Sequence, residues 1–236
     1  MIVRRLMLGA ACAALLTACA HSEQAGGYGK AEPSGFLKDY SKLHAAADDT
    51  EATLAYFTSD KAKFKSYTKV WLEPVQVWRG EKSSAKDLDP EDTKHVSEYL
   101  WSRVDEALRK DYTMTREAGP GVMRVRIAVT EAGKGVPVLD NLTAAYPTTL
   151  LMSKGKKALL GTETLVGKAS VEVEVTDSQT GELLAASVDR RGGGKYAWKA
   201  LNRWEDFEQA SDYWAKKFAW RACTLRGAAN CEMPKD

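Results

Sequence analysis

Side chains able to do chemistry are few, and their spacing nominates no reaction. Three histidines occur: His21, His44 and His95. There is no HExxH, GxSxG, CxxC or P-loop pattern, so zinc hydrolysis, elbow-borne serine catalysis, dithiol exchange and phosphate cradling lack their usual arrangements. His95 would need an orienting partner to act as a base, and none stands near it in sequence. It reads as a solvated helix residue. Gly192-Gly193-Gly194-Lys195 offers successive amides to an anion but lacks Walker spacing, and reads as the turn out of the last strand. Asp189, Arg190 and Arg191 read as solvated charges at a strand end, and Lys154, Lys156 and Lys157 as a basic loop tip. The expectation is a non-enzymatic protein without cofactor, catalytic residue or metal ligand.

Charge narrows the partners. Of 34 Lys and Arg, Arg4 and Arg5 fall in the first 18 residues, which hold no acid, so the chain from Cys19 onward carries 32 of each sign. A neutral chain lacks the basic footprint of a nucleic-acid binder. With 44% hydrophobic and 28% charged residues it has the composition of a folded protein, and its length suits one domain.

Arg4 and Arg5 precede an apolar run, Leu6 to Leu16. A bilayer needs roughly 20 such residues, so the run reads as a secretory signal and not as a span. It ends in Leu16-Thr17-Ala18-Cys19, which resembles the lipobox of bacterial lipoproteins. The resemblance implies cleavage before Cys19, a diacylglycerol on its thiol and a fatty acyl group such as palmitate on its new amine. At about 0.8 kcal/mol per buried CH₂, such chains would hold the protein to a membrane. Ala20, where an Asp would resemble an inner-membrane retention signal, implies the outer membrane of a Gram-negative bacterium, on its periplasmic face. The expected organisation is a signal peptide at 1–18, lipidated Cys19 with a flexible tether to residue 33, and one periplasmic domain at 34–236.

Cys223 and Cys231 remain. An isolated even pair in an oxidising compartment implies a disulfide, worth roughly 2.5 kcal/mol for a loop of about nine residues. No further ligand near the pair supports zinc.

The elements follow from periodicity. Tyr67–Trp78 is rich in β-branched and aromatic residues and reads as a strand, with Pro74 marking an edge or a bulge. Asp89-Pro90-Glu91-Asp92 starts a helix, in which Val96, Leu100, Val104, Ala107 and Leu108 form one stripe. Met123, Val125, Ile127 and Val129 alternate with Arg124 and Arg126. Val171, Val173 and Val175 alternate with Glu172 and Glu174, so the outer faces of these two strands would complement each other if paired. Asp177–Gly181 turns into a strand at Leu183–Arg190. Trp204, Phe207, Ala210, Ser211, Trp214 and Phe218 line a last helix to about Arg221. The order β-α-β-β-β-α predicts an α+β fold, a short mostly antiparallel sheet with two helices on one face.

Ser34-Gly35-Phe36-Leu37-Lys38-Asp39-Tyr40-Ser41-Lys42-Leu43, Tyr67–Trp78 and Asp177–Ala186, behind a lipobox, resemble the lipoprotein family named for domain of unknown function 3313. The resemblance covers nearly all of residues 34–222 and implies a setting without an activity. The element order is also similar to small periplasmic domains of the curli-secretion lipoprotein and of lipoprotein activators of cell-wall synthases, a likeness of fold alone.

Two features exceed a minimal fold. Tyr213 and Trp220 lie about 160–180° from Trp204 on the last helix, and read as a docking patch or as residues under a loop. A long insertion at 133–165 carries Tyr146, Leu150 and other apolar residues without a period. Pro137, Asp140 and Asn141 break one half and Lys154, Lys156 and Lys157 the other, so neither makes a membrane strand. The leading expectation is an outer-membrane-anchored accessory module that binds an envelope protein, with Tyr213, Trp220, Tyr146 and Leu150 as contact candidates. Alternatives are a subunit of an oligomeric export pore, or a glycan or small-molecule binder using Trp71, Trp78 or Trp198. Trp71 and Trp78 have opposite strand parity, which counts against the last unless Pro74 bulges. The oligomeric state is left open.

Overall fold

Alternation builds the centre of the sheet. The computed structural model describes residues 23–24, 33–45, 54–57, 60–133, 168–192 and 204–234. Expectations on Cys19, Tyr146, Leu150, Trp198, Lys154, Lys156, Lys157 and the insertion beyond Gly133 lie outside them. Among the described residues the strands are β1 (Glu23–Gln24), β2 (His44–Ala45), β3 (Leu54–Phe57), β4 (Lys69–Leu72), β5 (Gln76–Val77), β6 (Thr113–Met114), β7 (Val122–Ala132), β8 (Lys168–Asp177) and β9 (Leu183–Gly192). β7 and β8 pair antiparallel with Val125 opposite Val175 and Ile127 opposite Val173. Arg126 stands opposite Glu174, and their side chains meet at 2.9 Å, the complementarity that the alternation implies. β8 turns into β9 through Asp177, whose Oδ1 accepts from the Gln179 and Thr180 amides at 3.0 and 2.7 Å.

The sheet runs β2-β3-β9-β8-β7-β4-β6, with β1 beside β9 and β5 beside β7. It is mixed, not mostly antiparallel: β4 and β5 lie parallel to β7, and β4 parallel to β6. The cause is the helix α1 (Pro90–Leu108), which carries the chain back across the sheet before β7, as parallel pairing demands. β1, β2 and β3 are too short or too weakly patterned to read from sequence. β1 sets Gln24 opposite Arg191, so part of the stretch expected as a loose tether is backbone-paired.

Among the described residues two α-helices cover one face, as expected. Asp89 caps α1 by accepting from the Asp92 amide at 2.8 Å, and Val96, Leu100, Val104 and Leu108 are buried on the sheet. The second helix, α2 (Glu205–Arg226), runs five residues past the expected end and closes on Gly227 at φ +74°. α1 and α2 touch along His95, Tyr99 and Arg103. His95 Nε2 lies 3.0 Å from Glu208 Oε1, and its ring lies 5.7 Å from that of Trp204. His95 is thus an inter-helix tie as well as a partly solvated residue, its side chain 37% exposed. The tie was not expected because its partner comes from a helix 113 residues away.

The opposite face is covered by the strap Ser34–Leu43. Phe36 and Leu37 bury against Ala128, Ala186 and Val188. Glu172, only 1% exposed, accepts from the Ser34 amide at 3.1 Å and the Tyr40 hydroxyl at 2.5 Å.

Candidate functional site

Pro74 decides where the aromatic side chains go. β4 pairs Leu72 with Val125, and β5 pairs Gln76 with Ala128. Four steps on one strand face three on the other, so Glu73–Val75 holds one extra residue, a bulge at the residue that cannot donate. The bulge reverses the parity and puts Trp71 and Trp78 on the same outer face. They still form no shared platform. Trp78 donates from Nε1 to the Ser34 carbonyl at 2.9 Å and meets the Phe36 ring edge-on at 5.4 Å. Trp71 carries the Arg124 guanidinium 5.0 Å from its ring centroid. Arg124 and Arg126 both reach Glu73, and Arg126 continues to Glu174, so charge alternates across this face.

The expected docking patch on α2 is half corrected. Tyr213 is buried at 8% exposure, with the Arg191 guanidinium 3.6 Å from its ring centroid. Trp220 remains partly exposed, beside the Arg221 guanidinium at 4.5 Å. Tyr213 is covered because β9 extends beneath α2. The same extension buries Asp189 and Arg191, at 4% and 1% exposure, against the expectation of solvated charges. Asp189 accepts from Trp214 Nε1 at 2.8 Å and from the Arg190 amide at 2.9 Å. Burial pushes its carboxyl above the ordinary range, and the nearby Lys217 charge opposes this. Arg190 instead forms a two-pronged pair with Glu131 at 2.5 and 2.7 Å.

Cys223 and Cys231 are joined, with Cα atoms 5.7 Å apart, which ties the C-terminal turn to the end of α2.

Two concave features stand out among the described residues. One is an apolar cavity of about 120 Å³ between α2 and the sheet, walled by Leu100, Ile127, Val171, Ala185 and Phe218, with Asp189 and Lys217 at one end. It belongs to the core: its polar end is already engaged by Trp214. The other is an open groove of about 710 Å³ between α1 and the margin of β4. Trp71, Leu72, Pro74 and Val75 form its strand side, Ser97, Glu98, Trp101 and Ser102 its helix side, and Arg116 borders it. The volume is that of a ligand cleft.

The groove follows from how α1 is divided. Val96, Leu100, Val104 and Leu108 face the sheet. His95, Tyr99 and Arg103 face α2. Ser97, Glu98, Trp101 and Ser102, one turn apart in pairs, are left for the margin. On that side β6 pairs only with Lys69 and Val70, and no described strand continues it along Leu72. Ser97 and Ser102 hydroxyls donate to the Lys94 and Tyr99 carbonyls of their own helix. Neither Trp101 nor Arg116 was singled out by sequence reasoning. The available signal was a Trp directly after Leu100, on the border of the buried stripe. Among the described residues, no group of His, Cys, Asp or Glu gathers as a metal site.

No curated protein matches the chain. Solved structures of similar shape include a PelC dodecamer from Paraburkholderia phytofirmans, at 9% identity over 70% of this chain and 89% of that one, TM-score 0.37. A Caulobacter crescentus protein described as a candidate lipoprotein has 12% identity over 71% of this chain and 98% of its own, TM-score 0.36. A hypothetical protein from Chlamydia trachomatis has 13% identity over 71% and 100%, TM-score 0.35. Likenesses of this size carry neither ligand nor assembly over to this chain. The family model for proteins of unknown function DUF3313 matches residues 32–218, and the chain belongs to that family.

Proposed function

We propose that the protein is a non-enzymatic accessory module of the cell envelope, held on the periplasmic face of the outer membrane through Cys19, that recognises another envelope component through the Trp101 groove. The observation that supports this is the groove itself. It sets half-buried Trp101 beside hydroxyl, carboxylate and guanidinium groups, a mixture of apolar and convergent polar groups suited to recognition. This reading moves the contact surface from Tyr213, which is buried, to the margin of β4.

The test places a compact alkyl-diazirine photo-crosslinking residue, close to leucine in size so that the groove stays open, at Ser102 in cells carrying the intact lipoprotein. A discrete adduct that is lost in the Trp101→Ala variant is expected, with no such adduct from a probe at exposed Lys110. Indistinguishable adducts from the two positions would remove the groove from the function. The anchor is tested separately: Cys19→Ser should leave the membrane fraction and incorporate no fatty acid, and persistence of both properties overturns it.

A further inference from the structure

Resting on that reading of the groove, we propose that its ligand is a glycan bearing a carboxylate. The first argument concerns what the groove cannot take well. An extended peptide adding to a sheet margin gains affinity from main-chain hydrogen bonds. Here β4 ends at Leu72 and its margin is covered by β6 at Lys69 and Val70. The next residues include Pro74, which has no N–H and blunts strand addition. A ligand must therefore be held by side chains.

The second argument is the side chains themselves. Trp101, half-buried against the core, and exposed Pro74 both border the groove. Their apolar rings suit the C–H face of a pyranose, and Trp keeps a polar tip for the rim. The Ser97 and Ser102 hydroxyls already donate to helix carbonyls at 3.1 and 2.8 Å, so their lone pairs are left to accept from sugar hydroxyls. Glu98 accepts as well. Its ion pair is a solvent-exposed contact with Lys94 at 4.0 Å, which a ligand displaces at little cost. A wholly apolar ligand would desolvate these groups without pairing them.

The third argument is Arg116. It is exposed, at the end of the groove where the chain leaves β6, and its guanidinium presents paired N–H donors that match a carboxylate. Trp101, the hydroxyl acceptors and one fork-shaped cation together favour an acidic sugar whose carboxylate sits at Arg116 and whose hydroxyls meet Glu98.

The experiment titrates the mature lipoprotein in detergent with the disaccharide N-acetylglucosaminyl-N-acetylmuramic acid, and with N,N′-diacetylchitobiose, its counterpart without the carboxylate. The readout is the Trp101 indole N–H resonance. Saturable shifts are expected, with the acidic disaccharide bound about two- to fivefold more tightly, the gain of an exposed ion pair. Arg116→Gln should equalise the two sugars. Ser102→Trp, at an exposed helix position, should abolish both shifts while leaving the thermal midpoint unchanged. No Trp101 shift, equal affinities, or a preference that survives Arg116→Gln would each overturn the proposal. If the sugars fail while the Ser102 crosslink persists, the ligand class is wrong and the groove still recognises a partner. If the crosslink fails as well, the groove reading falls with it.

Discussion

The Tyr40 hydroxyl donates to Glu172 at 2.5 Å and accepts from the Gly35 and Leu37 amides at 3.0 and 3.1 Å. One hydroxyl thereby folds the strap on itself and locks it to the middle of β8. Tyr40→Phe strips a buried carboxylate of a donor and two amides of an acceptor. We expect a loss of about 2 kcal/mol in urea unfolding, and faster tryptic cleavage at Lys38 and Lys42. In a Glu172→Gln background the same substitution should cost less, because the two residues act as one unit.

Four tyrosines give the protein an alkaline limit. Burial, with hydrogen bonds or nearby carboxylates, holds Tyr40, Tyr67 and Tyr112 above the ordinary value of 10.0, and pushes Tyr99 up to about 12. A raised folded value means the unfolded chain loses these protons first. Stability is therefore full below pH 10 and falls above it. Ultraviolet titration of tyrosinate should show these four ionising together with alkaline unfolding. Their independent titration near pH 10 in folded protein would contradict the packing.

The opposite sign applies to Asp177, which lies below its ordinary value chiefly through the Thr180 amide. Its contribution is present above pH 3.8 and lost as pH falls through the lowered folded value. Asp177→Asn should flatten the acid limb of the stability profile in denaturant titrations at pH 2–5.

Reduction of Cys223–Cys231 frees a turn that no other covalent bond holds. Chain entropy for a loop closed by residues eight apart predicts a loss of about 2.5 kcal/mol. Chemical unfolding with and without reductant measures it. Alkylation of freshly prepared protein should label neither cysteine.

The cavity beneath α2 sets a fifth expectation. Ala185, 8% exposed, lines it from a strand position that favours β-branched residues. Ala185→Val should stabilise by about 1 kcal/mol through added burial, seen as a higher denaturant midpoint at constant slope.

Period-two alternation alone marked β7 and β8 and their complementary Arg and Glu faces, because a strand in a two-faced sheet has one choice of side for each residue. The pairing that sets Arg126 against Glu174 came from the tertiary structure. Asp89-Pro90 and the stripe through Leu108 likewise fixed α1, since capping and burial act within a few turns. The Leu16–Cys19 motif, which resembles a lipobox, is legible without any fold. The candidate groove was not. It exists because α1 presents three stripes to three different neighbours, and because β6 stops after two residues beside a bulge at Pro74. Which stripe is left over depends on where α2 docks, and α2 lies about a hundred residues downstream. The same distance hid the partner of His95, while the burial of Asp189 and Arg191 depends on α2 docking over β9, with Trp214 only 25 residues from Asp189. A charged residue reads as solvated until a strand is carried beneath a helix, and only tertiary packing places it there.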